Sequence, residues 1–251
     1  MRIVCSIGST DPWNAAGLGL DLRTLAELGA ANVWIVAGVT AQDRNGVHAA
    51  AAITPALVSA QFDALQTANI AAFRVGALLD ATTVELVASR LASSAVPVVY
   101  DPVFGPSGGG CFVDGAMLAV IRAKLLPAVD VLTPNLSEAA ALCEHAVESL
   151  ADMEAAAQRL RALGCKAALV KGGHHTGEAV DVLADREGTL RFDEGRRVAA
   201  TLRGTGCLLA AALAASLAAG APLRAAVREA RAFVREKILR AHERAGMRVA
   251  Y

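Results

Sequence analysis

No two cysteines in this chain are spaced C-x-x-C; Cys5, Cys111, Cys143, Cys165 and Cys207 lie at wide, irregular intervals. That spacing excludes a zinc ribbon and a disulfide framework and fits reduced thiols in the cytoplasm. Neither sign of charge is in excess, with 24 Lys plus Arg against 24 Asp plus Glu, so the basic face of a nucleic-acid-binding protein is not expected. Long apolar runs are missing as well. The longest, Cys207 to Ala219, is interrupted by Ser216 and falls short of the roughly 20 residues a membrane span needs. Strand-like residues 2–7 follow Met1 directly, so no signal peptide is expected. Three motifs are also absent. There is no G-x-x-x-x-G-K-[ST] phosphate loop and no G-x-S-x-G elbow, and Gly17-Leu18-Gly19 lacks the third glycine of a dinucleotide fingerprint.

What is present is hydrophobic. Apolar residues make up 55% of the chain and charged ones 19%, which excludes disorder and calls for a large core. Short apolar runs at 2–7, 33–39, 72–76, 96–100, 129–132 and 167–171 predict strands buried on both faces. Between them, 17–29, 56–68, 81–93, 115–124, 136–144, 151–163, 205–219 and 222–244 predict helices. Residues 179–185 and 189–193, joined by Arg186-Glu187-Gly188, predict an antiparallel hairpin at the sheet edge. The alternation describes an α/β sandwich with a mostly parallel central sheet, and no linker or repeat divides residues 1–251, so one domain is expected.

Ligands of such sheets bind beyond the carboxyl ends of the strands. Polar residues cluster after the predicted strands: Asp11 and Asn14, Gln42, Asp101, Thr133-Pro134-Asn135 with Glu138, and Lys171-Gly172-Gly173. Asp101 and Glu138 have the chemistry to hold Mg²⁺ against a polyphosphate; their plainer readings are a turn residue and an Asn135-x-x-Glu138 capping box. Lys171 suits a phosphate as a compact positive charge, or simply ends a solvated strand. Gln42 suits bidentate hydrogen bonding to a heteroaromatic ring, or solvent. His174 and His175 have no third ligand at metal spacing and read as loop residues. Gly105-Pro106-Ser107-Gly108-Gly109-Gly110 reads as a flap over a site or as a surface loop.

Most informative is Gly204-Thr205-Gly206-Cys207 and the Ala/Leu run after it. Two glycines permit a turn whose amides point one way into a helix N-terminus, an arrangement that favours anions. Cys207 then sits in the first turn, where the same field lowers a thiol pKa. The alternative is a glycine-started core helix carrying an inert cysteine.

Several segments together, in order along the chain, carry a resemblance. They are Asp11-Pro12 with Ala16-Gly17, Asp21-Leu22-x-Thr24, Thr40-Ala41-Gln42, Val75-Gly76, Asp101-Pro102-Val103, Leu132-Thr133-Pro134-Asn135-Leu136-x-Glu138-Ala139, Val170-Lys171-Gly172-Gly173-His174 and Gly204-Thr205-Gly206-Cys207. They resemble the ribokinase-like superfamily, and within it the hydroxymethylpyrimidine/phosphomethylpyrimidine kinases of thiamine biosynthesis. The resemblance implies a three-layer αβα sandwich and ATP-dependent phosphorylation of 4-amino-5-hydroxymethyl-2-methylpyrimidine and/or its monophosphate. It makes Cys207 the base, with Gly204, Thr205 and Gly206 stabilising the transferring phosphoryl group. Lys171, Asn135 and Thr133 would meet the nucleotide, and Asp101 and Glu138 would organise Mg²⁺. Asp11, Asn14, Gly17, Gln42 and Val103 would line the pyrimidine pocket of a cytoplasmic homodimer. Three departures bear on the substrate: Trp13-Asn14-Ala15-Ala16-Gly17 replaces Ser-Gly-Gly-Ala-Gly, Ala77 replaces a methionine, and Arg203 replaces a histidine. A pyridoxal or pyridoxine kinase of the same superfamily, and a non-catalytic pyrimidine-binding protein on this fold, are the competing readings.

Overall fold

Alternate residues of a strand point to opposite faces, so a strand apolar at every position must be covered on both sides. The computed structural model of the protein, which describes residues 1–105, 112–173, 180–193 and 202–251, shows this arrangement. Nine strands among the described residues form the main sheet: β1 (Ile3–Thr10), β2 (Ala31–Asp43), β3 (Gly46–Ala52), β4 (Ile70–Val75), β5 (Val98–Tyr100), β6 (Val131–Leu132), β7 (Ala167–Lys171), β8 (Asp181–Asp185) and β9 (Gly188–Phe192). Their order is β3-β2-β1-β4-β5-β6-β7-β8-β9. The pairs from β2 through β7 are parallel. β3 pairs with β2, β8 with β7 and β9 with β8 in the antiparallel sense, so both edges are antiparallel rather than one.

The helices are α1 (Gly17–Glu27), α2 (Pro55–Ala64), α3 (Ala81–Leu91), α4 (Gly115–Val120), α5 (Leu136–Cys143), α6 (Leu150–Ala162), α7 (Thr205–Ala218) and α8 (Leu223–Arg240). Cys5, Ile7, Val75 and Val170 enter a core with residues of α2, α3, α5 and α6. Their strand neighbours Val4, Ala72 and Leu169 enter a second core with residues of α1, α7 and α8. Two cores on opposite faces of one sheet make the three-layer αβα sandwich.

Helix starts follow local chemistry. Asp80 caps α3 by accepting from the Thr83 amide at 2.8 Å. Asn135 with Glu138, and Ser149 with Asp152, close capping boxes on α5 and α6. No side chain caps α7. It is buried continuously from Cys207 to Ala215 and packs on α1, α8, β4 and β5, which explains an apolar composition all the way round.

Three elements differ from the sequence reading. β3, Gly-Val-His-Ala-Ala-Ala-Ala, carries no strand signal, because alanine has low β propensity; pairing with β2 recruits it. The predicted helix 222–244 ends at Arg240, and a small antiparallel hairpin follows, β10 (His242–Arg244) with β11 (Met247–Val249). Ala245-Gly246, both at positive φ, make its turn. The helix predicted over 115–124 leaves α geometry after Val120 and continues as a π-helical turn over Ile121–Leu125.

Leu213, fully buried in the middle of α7, tests the second core. Leu213→Ala is expected to destabilise the fold by about 2–5 kcal/mol, the usual cost of such a cavity, read from the midpoint of urea unfolding.

Candidate active site

The carboxyl ends of β4, β5 and β7 deliver charges into one buried place. Asp101 follows β5, its amide donating to the Val75 carbonyl at 2.9 Å. Its Oδ1 accepts from Lys171 Nζ at 2.7 Å, and its Oδ2 from Arg74 Nη2 at 3.2 Å. Arg74 Nη1 lies 3.2 Å from Asp21 Oδ2, with both side chains within 1% of full burial. Arg74 was missed by the sequence reading; the available signal was a single arginine inside the apolar run 72–76. Gly76 exists to admit it, since a Cβ there would stand 2.1 Å from Arg74 Nη1.

Burial sets the protonation of the acids. Asp21 is pushed up to about 6 by desolvation, with Arg74 opposing and Asp101 adding. Glu138 is pushed up to about 7 by desolvation, with Lys171 opposing and Asp101 adding. Desolvation alone would lower Lys171, but Asp101 and Glu138 hold it above its ordinary value.

α7 begins against this cluster. Gly204 is left-handed at φ 79°, and a Cβ on it would fall 2.2 Å from the Ala15 carbonyl oxygen. A Cβ on Gly206 would fall 3.1 Å from Lys171 Nζ and 3.3 Å from Asp101 Oδ2. Glycine at both positions lets the uncapped first turn of α7 close directly over the ion pair. Cys207 is buried at the same turn, with the Arg74 guanidinium and the Gly17 amide at its sulfur. Its thiol lies above the ordinary value because desolvation outweighs Arg74, and Asp101 and Asp21 push the same way. This reverses the lowering expected from the helix terminus alone.

The remaining predicted site residues surround the turn, several of them already engaged. Asp11, also buried, accepts from the amides of Trp13 (3.0 Å), Ala15 (3.1 Å) and Ala16 (2.9 Å), so its carboxylate shapes the loop before α1. Asn14 is exposed at φ 51°, its side chain lying where a Cβ on Gly19 would be. Gly17, at φ 57°, lies against the Ser9 carbonyl. The fully buried Thr133 hydroxyl lies 3.4 Å from Asp101 Oδ1 and supports that acid from beneath. Asn135 Oδ1 accepts from the Glu138 amide, and Glu138 Oε2 from the Asn135 amide, so the capping box is real and leaves Glu138 Oε1 outside it. Val103, half-buried, donates its amide to the Asp101 carbonyl at 2.9 Å. Gln42 lies within β2 and accepts from Arg203. Met247 and Val249 of the final hairpin pack on Ala15, an arrangement without a sequence signal. Residues 106–110 of the glycine tract, Cys111, His174 and His175 lie outside the described residues.

The three-layer αβα sandwich with its mostly parallel sheet is the ribokinase-like kinase fold. Residues 11–249 match the family model described as phosphomethylpyrimidine kinase, and the chain belongs to that family. It is 36% identical to the hydroxymethylpyrimidine/phosphomethylpyrimidine kinase of Streptomyces coelicolor over 92% of this chain and 87% of that protein. It is 39% identical to the Escherichia coli protein of the same name, over 84% and 80% of the two chains. Among solved structures, a Bacillus subtilis pyridoxal kinase in complex with ADP superimposes with a TM-score of 0.87 at 27% identity, covering 97% of this chain and 93% of that one.

Removing the central cation tests the cluster. Arg74→Met leaves Asp21 buried without its cation and Asp101 with Lys171 alone, and is expected to destabilise the protein by about 3–5 kcal/mol. Arg74→Lys, which keeps the charge, should recover most of that loss in thermal and urea unfolding.

Proposed function

We propose that this chain transfers the terminal phosphoryl group of ATP to the hydroxymethyl oxygen of 4-amino-5-hydroxymethyl-2-methylpyrimidine, to the phosphate of its monophosphate, or to both. The observation that carries this reading is the contact of Gly206 with the Lys171–Asp101 pair, one residue before Cys207. Phosphoryl transfer asks a protein mainly for in-line positioning and for neutralisation of charge. The first-turn amides of α7, at Gly204, Thr205 and Gly206, receive the equatorial oxygens of the group in flight. Lys171 meets the phosphate from below. Where the acceptor is the hydroxymethyl group, the Cys207 thiolate takes its proton as the new O–P bond forms and the bond to the departing ADP oxygen breaks; burial raises the thiol, and Arg74 and the Gly17 amide oppose that rise.

Asp101 and Glu138 fit a magnesium ion. Hard cations of that size take one or two carboxylates and fill their shell with water and substrate phosphate. Among the described residues no cluster of three or more His, Cys, Asp or Glu could hold a metal, so such an ion would depend on the nucleotide for the rest of its ligands. When bound, it neutralises phosphate charge. Asn135 borders the nucleotide, and Asp11, Asn14, Gly17, Gln42 and Val103 shape the ring pocket, Asp11 through the loop amides it holds.

The whole 1–251 chain works, in this reading, as one kinase domain in the cytoplasm. Cys5, Cys143, Cys165 and Cys207 are free and buried, as a reducing compartment allows. No helix among the described residues is long and apolar enough to cross a membrane. A homodimer is favoured by the ribbon of β2 and β3, where Val39, Ala41, Ala49 and Ala51 are exposed together in register. A pyridoxal kinase is the second reading, supported by the superposition on the Bacillus subtilis pyridoxal kinase.

A coupled assay of ADP release with the hydroxymethylpyrimidine, its monophosphate and pyridoxal separates these readings. Turnover of a pyrimidine is expected, and turnover of pyridoxal alone would overturn the assignment. Cys207→Ala is expected to fold normally and to lower kcat by roughly 10²–10⁴, the range for loss of a general base. Light scattering on an eluting column is expected to give twice the 25.7 kDa chain mass.

A further inference from the structure

Arg203 stands immediately before the glycine turn, where the resembled family has histidine, and its side chain reaches away from the phosphate site. Nη2 donates to Gln42 Oε1 at 2.5 Å, and Nη1 donates to the Asp43 carbonyl at 2.6 Å. Its own amide donates to the Arg248 carbonyl at 3.1 Å, and Nη1 lies 3.9 Å from Met247 Sδ. The guanidinium is therefore fixed at both ends, between the close of β2 and the final hairpin.

Arginine carries only donors. Whatever atom of Gln42 faces it must accept, so the amide oxygen is turned to Arg203 and the NH₂ group is turned away. A free glutamine can rotate its amide end over end and exchange donor for acceptor. This one cannot without setting an NH₂ against the guanidinium. Oε1 has two lone pairs and Arg203 takes one, so Gln42 keeps one acceptor site and one donor group in a fixed order.

We propose that Arg203 is a specificity-determining positioning residue, which locks the Gln42 amide so that the site selects rings presenting an acceptor nitrogen next to a donor amino group. The inference rests on the proposed reading of Gln42 as a ring contact and adds to it the direction of the amide. A 4-aminopyrimidine matches this order: its N3 accepts from Nε2, and its amino group donates to Oε1. The 4-oxo analogue reverses both, since its N3–H donates and its oxygen accepts, and would need the flipped amide that Arg203 forbids.

The test compares the 4-amino ring with its 4-oxo analogue, by kcat/KM and, independently of turnover, by calorimetric Kd, in the wild type and in Arg203→Ala, Arg203→Lys and Gln42→Glu. The wild type is expected to prefer the amino ring in both measurements. Arg203→Ala should narrow that preference roughly tenfold or more, as expected for a hydrogen bond to a charged group, with the loss falling on KM more than on kcat. Arg203→Lys, still a pure donor, should restore part of it. Gln42→Glu, with two acceptors, should shift preference toward the oxo ring. A narrowed ratio in Arg203→Ala with rescue by lysine supports the lock. An unchanged ratio in Arg203→Ala, while Gln42→Glu still shifts it, overturns the lock and leaves Gln42 as the ring contact. No shift in Gln42→Glu overturns both. If the wild type turns over neither ring, the proposed function falls, and the Kd ratios still decide the lock. Should Arg203→Ala fail to fold, Arg203→Gln, which donates and accepts and so permits both amide orientations, carries the same comparison.

Discussion

Arg74 is the constraint from which the rest of the site follows. A guanidinium buried in a β-strand costs several kcal/mol in desolvation unless its donors find anions, and here Asp21 and Asp101 supply them from α1 and β5. That requirement fixes where α1 lies against the sheet and where the chain emerges after β5. It also explains two glycines. Gly76 has no side chain because Arg74 occupies the space, and Gly206 has none because Lys171 and Asp101 do. The glycine signature is thus the negative image of an ion network. Its charges exclude a Cβ at position 76 and crowd one at position 206, where glycine lets the backbone amides of α7 come close to the network.

The layers of the sandwich were legible because they rest on burial, the strongest pattern a sequence carries. The apolar run 167–171 becomes β7 with the same bounds, and the run 2–7 becomes β1, which continues three residues further to Thr10. The Asn135–Glu138 box was legible for a different reason: its two partners lie three residues apart, so local chemistry specifies it. Residues after the parallel strands could be expected to converge because topology demands it. The same reasoning could not reach β3, whose alanines become a strand only because β2 offers a free edge. Nor could it reach the contact of Arg203 with Gln42, which are 161 positions apart and joined by nothing periodic.

A subtler difference concerns what polar residues near a site are for. The family resemblance makes Asp11, Thr133 and Asn135 ligand contacts. In the fold, Asp11 spends both carboxylate oxygens on three amides of its own loop, and the Thr133 hydroxyl lies against Asp101. Asn135 caps α5. Sequence position marks proximity to the site, but it does not say whether an oxygen points outward or back into the backbone. The distinction bears on substitution: removing a loop-holding carboxylate disturbs several amides together, whereas removing an outward one costs a single ligand contact.

The charge balance of the site argues for how a polyphosphate would enter it. Asp21, Asp101 and Glu138 face Arg74 and Lys171, so with every group ionised the cluster is one charge short of neutral on the acidic side. Burial relieves part of this by raising Asp21 and Glu138 toward partial protonation. Even so, Arg74 is held by two carboxylates and Lys171 by Asp101, so Lys171 meets a phosphate with its charge already shared. The amides of α7 favour an anion, worth at most a few kcal/mol through the helix terminus, but they do not cancel the repulsion of nearby carboxylates. In the proposed reading an arriving triphosphate brings a cation of its own, and Asp101 and Glu138 are the carboxylates offered to it. On this view the acids exclude a bare polyanion and admit one that brings its countercharge.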